Sequence, residues 1–370
     1  NGISFQDYID EMFAEKYNKP ETPGFDWEPD MQDDFEFKQI SATARVYTMA
    51  TYVDFDSPGP VKHTEGFELG SDKMPRMKHE FNIDEAKIRL HMQALQQFGV
   101  FSERMAQSVE NLLFESTDML LGGNYNSLKF QRHQAVSKGQ FDIIAENNPQ
   151  GITGVSIDFH VPGKNRWEIA WWKKDGTLNT GITPLEDLKN KVTYIRQTCY
   201  APVDHIEVNK ITWDKFIMIP AVRQSLGYIK NPLVTTADAA VQIGVSLLDD
   251  EMKVLVEKYV GAPITIIDSV SVVEKFDKKT RTVSTPTLQS FDENVFVFVP
   301  SSRIGTIKAV TPIVINDPAA RIAFYDEGRT VITQTFDAYN KVQKISSELT
   351  ALCVPNVVRQ MYYLTVKASK

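Results

Sequence analysis

The most reactive-looking neighbours in the chain are Asp204 and His205, the residue types of a carboxylate that orients an imidazole for proton transfer. They fall at a strand-like run, HIEVN (205–209). Adjacent residues on a strand point to opposite faces, so the pair is not expected to act together. Glu186 and Asp187 are explained more simply. In Thr183-Pro184-Leu185-Glu186, threonine caps a helix, proline takes its first position and Glu186 closes a capping box. Both carboxylates also suit the positive end of the helix dipole. Trp167, Trp171 and Trp172 have the residue type of a ligand platform, but packing in a core or between subunits is the stronger reading.

Cys199 and Cys353 lie in mixed apolar stretches without a C-x-x-C partner and read as buried, reduced thiols. His63, His79, His91, His133, His160 and His205 are scattered without metal-ligand spacing. The sequence has no G-x-x-x-x-G-K-S/T, no G-x-S-x-G and no H-E-x-x-H. No catalytic residue, cofactor or metal is therefore expected.

The elements around these residues change character along the chain. Within 43–82, TARVYTMATYVDF and KMPRMKHEFNI read as extended runs joined by a segment with Pro58, Gly59, Pro60 and Gly66, a long projecting loop. Asn82 with Glu85 predicts a helix start, with Ile88, Met92, Leu95 and Phe98 on one face and Gly99 at its end. A second helix is expected from Ser102 to a break at Gly122-Gly123; helical pattern resumes over 127–139, so a longer spine kinked at the glycines is the alternative. FDII, GVSIDFHV and RWEIAWW then read as strands. The helix opened by Thr183 carries Leu185, Leu188, Val192 and Ile195 as its buried stripe. ITWDKFIMI and DDEMKVLVEKYV read as further helices, the latter ending at Gly261. ITIIDSVSVVEKF and RTVSTPTLQ flank DKKT as an exposed hairpin with a charged tip, and NVFVFVP reads as a central strand. ARIAFYDE, RTVITQTFDA and VVRQMYYLTV complete the strands.

Charge is uneven. Residues 1–40 hold eleven acidic side chains against three lysines, which accounts for the whole net charge of −8; the other 330 residues are balanced at 37 acidic and 37 basic. Such an arm does not bind nucleic acid directly. Its proline-rich part, NKPETPGFDWEPD (18–30), and its spaced aromatics, Phe25, Trp27, Phe35 and Phe37 among them, suit docking on a surface supplied by its own chain or a neighbour; a disordered tail with local helix over 4–17 is the equal alternative. No apolar run approaches the ~18 to 20 residues of a bilayer span, and NGISFQDYIDEMF lacks the order of a signal peptide, so synthesis inside the cell and no membrane partner are expected. Asn1 is a poor second residue for methionine removal. Upstream residues are therefore expected to have been lost, by maturation proteolysis or by omission from this stretch of chain.

Taken in order, the acidic arm, TYVDFDSPGP (51–60), the spine helix, FQRHQAVSKGQFDI (130–143), SIDFHVPGKNRW (156–167), the Thr183 helix start, HIEVN with TWDKF, FVFVPSSRIGTIK (296–308) and CVPNVV with YYLTV resemble the tailed-bacteriophage major capsid family, in the branch similar to the phage lambda shell protein. The resemblance implies an α+β, HK97-type capsid fold: an N-terminal arm (1–42), an extended loop (43–82), a peripheral domain with spine helix and sheet (83–180), an axial α+β domain (181–300), and a return to the peripheral domain (301–370). It implies a subunit that assembles with itself, as hexamers and pentamers, into an icosahedral virion shell around double-stranded DNA contacted non-specifically. Assembly would be in the bacterial cytoplasm, with portal, scaffold or decoration proteins as further partners. Phe25, Trp27, Phe35, Phe37, Arg45, Lys62, Lys73, Arg76 and Lys78 are the candidate intersubunit contacts, the cations complementing the acidic arm. Some shells of this fold carry a lysine-to-asparagine cross-link, for which Lys62 or Lys73 with Asn356 supplies the types; solvated loop lysines are the stronger reading. An encapsulin-like compartment shares the fold. An α+β enzyme or carbohydrate-binding protein built on 183–299 is the reading from another class.

Overall fold

A computed structural model of the chain describes residues 5–13, 22–41, 68–83, 104–173, 177–277, 279–280, 282–313, 320–337 and 342–368. The chain divides into two compact units, one of Asn1–Phe37, Ser71–Arg132 and Thr306–Val354, the other of Lys38–Gly70, His133–Gly305 and Pro355–Lys370.

The first unit is a sheet backed by helices. Its organising strand is Val342–Pro355, which pairs antiparallel with Thr330–Asp337 on one side and Arg76–Ile83 on the other, while Ala320–Tyr325 pairs with Thr330–Asp337. Gly305–Ala309 and Phe25–Trp27 extend the same sheet. Alternation along Arg76–Ile83 turns every second residue inward. On the inner face Ile332, Ile345, Ala323 and Tyr325 meet Leu120 and Leu121 of a 35-residue helix, Arg104–Lys138, and Ile9 of the helix Phe5–Phe13. Each fully buried side chain of this size contributes about 1.5–3 kcal/mol. Gln6 closes the outer edge of the sheet. Its side-chain amide donates to the Phe324 carbonyl and accepts from the Phe324 N–H, both at 2.7 Å. An edge strand so occupied cannot recruit another strand there.

Of the two readings at Gly122-Gly123 the longer spine is the one found, since both residues lie inside the helix Arg104–Lys138 and the break does not occur. At about 1 kcal/mol each relative to alanine, two glycines weaken a helix without ending it. Gly123 is small for a reason. A Cβ there would stand 3.1 Å from His79 Cε1 of the neighbouring strand. The expected cap at Asn82 is also corrected: Asn82 pairs with Lys344 and Ile83 with Gln343, so the chain is still extended there. The remainder of that helix, the start at Ser102 and the loop 43–67 lie outside the described residues.

The second unit holds a five-stranded sheet in the order Arg166–Trp172, Tyr362–Ala368, Val295–Val299, His205–Asn209, Ile264–Ile267. Its outer pairs are parallel and its inner pairs antiparallel. Val295–Val299 is buried on both faces, as an unbroken VFVFV run requires. Phe296 and Phe298 join Trp171, Leu185, Leu188, Val192, Ile195, Trp213 and Phe216 in one core. The helix Pro184–Gln197 starts where expected, but the Thr183 side chain makes no capping bond; its carbonyl accepts the Asp187 N–H at 2.8 Å. Asn209 does cap, accepting the Ile211 N–H at 2.8 Å to start the helix Lys210–Ile217.

Two further helices, Pro220–Lys230 and Ala237–Ser246, pack at very short range. A Cβ on Gly227 would fall 1.9 Å from the Ala240 carbonyl oxygen, and one on Gly244 2.1 Å from that of Arg223. Asp249–Val260 completes the helices and ends at Gly261 in the left-handed region, as expected. The expected hairpin is present too. Val270–Val272 pairs with Thr287–Gln289 and Lys275–Asp277 with Thr282–Ser284.

Candidate functional site

Asp204 and His205 are in contact, contrary to the expectation that strand geometry keeps them apart. Asp204 precedes the strand His205–Asn209, and its N–H donates to Val299. Freed from strand alternation, its Oδ2 lies 2.8 Å from His205 Nδ1, while Glu207 Oε1, two residues along the same face, lies 3.3 Å from His205 Nε2. With a carboxylate oxygen at each ring nitrogen, only the doubly protonated imidazolium donates to both. Burial opposes that charge, but the hydrogen bonds to Glu207 and Asp204 outweigh it and hold the His205 pKa above the ordinary value of 6.5. A raised folded-state pKa contributes stability that is fully present below about pH 6.5 and is lost as pH rises through the folded value. The unfolding midpoint of the wild type should therefore fall between about pH 6 and about pH 8 relative to that of His205→Asn. Equal slopes in denaturant titrations across that range would contradict the assignment.

The arm's aromatics are used mostly within the chain. Phe25 and Phe37 are buried, and Trp27 lies beneath Arg329, whose guanidinium carbon is 5.1 Å from the ring centroid. The Arg329 side chain is only 4% exposed. It donates to the Glu28 carbonyl at 3.1 Å and to Glu327 Oε2 at 2.6 Å, and approaches Asp326 Oδ1 at 3.9 Å. Asp326 and Glu327 sit at φ 54° and 55°, a conformation costly for side-chain-bearing residues, so Arg329 fastens both a strained turn and the arm strand Phe25–Trp27. Arg329→Ala should cost about 2 kcal/mol and speed proteolytic cleavage near residue 28. An arm as resistant as in the wild type would show that the strand holds by itself.

Phe35, half exposed, is the candidate aromatic left open to solvent. Arg76 and Lys78 project from the outer face of their strand beside Glu80. Arg76 pairs with Glu348, and Lys344 lies 3.5 Å from Glu80. This ladder of mixed charge is worth little as isolated exposed pairs. Lys73 is exposed; Arg45 and Lys62 lie outside the described residues. The Asn356 backbone N–H donates to Ile304.

The tryptophans pack as expected. Trp171 is fully buried and its Nε1 donates to Asp187 Oδ2 at 2.9 Å; Trp167 stacks on Tyr362 at 5.3 Å. Asp187 thus has a use its place in the first turn does not reveal. Burial raises its pKa, with the indole hydrogen bond acting the other way. Cys353 is buried and free, its thiol pushed up to about 12 by burial with Arg132 acting in the other direction, whereas Cys199 is only half buried.

Among the described residues no His, Cys, Asp or Glu group has the makeup of a metal site, and no helix is long and apolar enough to cross a membrane. The family model described as phage major capsid protein E matches residues 34–302, well over half of the chain. The chain belongs to that family. This capsid protein is therefore a shell-forming structural protein, and family and element order agree with the HK97-type α+β fold. No curated protein matches it. Among solved structures, a candidate capsid protein of an E. coli CFT073 prophage is similar at 12% identity and a TM-score of 0.45, over 81% of this chain and 80% of that one. A phage-related protein of Bordetella bronchiseptica RB50 is similar at 10% and 0.43, over 98% and 97%. The satellite phage P4 procapsid, including its size determination protein, is similar at 9% and 0.43, over 98% and 99%. These likenesses are too distant to carry any of the argument.

Proposed function

We propose that this capsid protein assembles with itself, as hexamers and pentamers, into the icosahedral shell of a tailed phage, around double-stranded DNA that it touches without sequence preference. The family match over residues 34–302 carries the reading. The balanced charge beyond residue 40 fits a wall against DNA better than a tight DNA-binding surface. On this reading residues 83–180 and 301–370 correspond to the peripheral domain and 181–300 to the axial domain, with 1–42 as the arm and 43–82 as the extended loop. Phe35, Lys73, Lys78 and the outside residues Arg45 and Lys62 are the contacts offered to neighbours. Arg76 takes part through its ladder with Glu348, and Phe25, Trp27 and Phe37 act by fixing the arm's root. The lambda-like branch, assembly in the bacterial cytoplasm, and portal, scaffold or decoration partners belong to the same proposal.

Sucrose-gradient sedimentation of the protein, expressed alone and with its neighbouring phage genes, tests it. Fast-sedimenting particles in at least one case are expected; a small oligomer in both would contradict it.

A further inference from the structure

The hairpin in the second unit leaves an apolar face uncovered. Its two strand pairs share one register, with Val270 opposite Gln289, Val272 opposite Thr287 and Phe276 opposite Val283, and Val273 N donating to Pro286 O between them. It is thus a single two-stranded ribbon running from Val270 to Gln289. Residues two apart on one strand, and residues directly opposite on the other, share a face. Val270, Val272, Phe276 and Val283 therefore project together, with the exposed Glu274 between Val272 and Phe276, and the four apolar residues are 49%, 51%, 45% and 57% exposed. At its base the ribbon is held by Ser290 N donating to Ser269 O and by a 2.9 Å contact between Ser271 Oγ and Ser290 Oγ. A two-stranded ribbon alone is marginal in water, and an aligned apolar face on it calls for a cover.

A complementary surface lies on the same unit. Leu248, 72% exposed, stands just before the helix Asp249–Val260, and Val254 is exposed one turn into it. Between them Asp249 and Asp250 are exposed, carboxylates favoured at the positive end of the helix dipole, while Glu251 is paired with Lys230 at 3.2 Å. The ribbon's tip has the opposite character: Asp277-Lys278-Lys279-Thr280-Arg281 carries three cations against one carboxylate, and Lys275 and Lys279 are exposed.

We propose that the ribbon of one copy docks on the start of the Asp249–Val260 helix of the next, its apolar face against Leu248 and Val254 and its basic tip against Asp249 and Asp250. The contact uses a different patch on each copy. Such a heterologous contact repeats around a ring and closes when the rotation is right. The inference rests on the shell reading and adds to it which surfaces bring one subunit beside the next.

The test is charge reversal, read as particle yield in gradients, with circular dichroism and thermal melts verifying that each exposed-site variant folds. If the wild type forms no particles, the shell reading fails and this contact falls with it. With particles in the wild type, Lys279→Glu and Asp250→Lys should each lower the yield about tenfold or more, since like charges face each other across the contact. Combining the two substitutions should restore most of it. Undiminished yield from either folded variant overturns the proposal. So does a loss that the combination fails to repair, because another surface then receives the ribbon.

Discussion

Gly227→Ala is expected to destabilise the second unit by about 3 kcal/mol or more, the cost of overpacking against atoms that cannot step aside. The added methyl would fall 1.9 Å from the Ala240 carbonyl oxygen, well inside van der Waals contact, and the obstacle is backbone, not a flexible side chain. Gly244→Ala repeats the experiment from the other helix, where the Arg223 carbonyl oxygen stands 2.1 Å away. The helices Pro220–Lys230 and Ala237–Ser246 must move apart to accept either change. That would disturb Val222 and Leu226, both fully buried. Gly122→Ala is the internal control. It lies within a helix with nothing inside 4 Å of the new Cβ, so helix propensity alone acts and stability should rise by about 1 kcal/mol. Urea denaturation of the three variants measures both signs. A Gly227→Ala protein as stable as the wild type would show that the helices are not in close contact.

Trp171→Ala should cost about 3–5 kcal/mol, as for other large aromatic side chains removed from a core. The ring is enclosed by Phe216 at 5.6 Å, Phe296 at 5.9 Å and Trp172 at 6.0 Å, centroid to centroid. Two effects are combined in that figure. Trp171→Phe bounds the second, because it removes the indole N–H that Asp187 accepts together with part of the ring's volume. Leaving a partly buried carboxylate without its donor should account for about 1–3 kcal/mol of the total. The denaturant midpoint of this variant sets the upper limit on that share. If Trp171→Phe matches the wild type, the hydrogen bond to Asp187 contributes nothing and the packing argument stands alone.

How far these features can be read from the residues depends on whether their cause is local. The strand Val295–Val299 and the helix Pro184–Gln197 declare themselves through an unbroken apolar run and through Pro184 followed by a stripe of four buried residues. Gly122-Gly123 misleads because the glycine signal is local, while the reason for Gly123 is His79 on a strand far away in sequence. The helix Pro220–Lys230 carries a local apolar stripe in Val222 and Leu226, but its close approach to Ala237–Ser246 rests on Gly227 and Gly244, whose partners are carbonyls of the other helix. Asp204 lies one residue before the strand His205–Asn209, so strand alternation does not separate it from His205, and the pair meets at 2.8 Å. The arm shows a different limit. Its aromatics announce that they need a surface, but only the folded chain shows that Phe25, Trp27 and Phe37 find theirs at home while Phe35 does not.

Electron microscopy of the fast-sedimenting fraction tests the central claim most directly. Closed particles of uniform size with five-fold and six-fold clusters on their surface are the expected result for a shell-forming member of the phage major capsid protein E family. Irregular aggregates, or a field of discrete small oligomers whether or not the neighbouring phage genes are expressed, would contradict it.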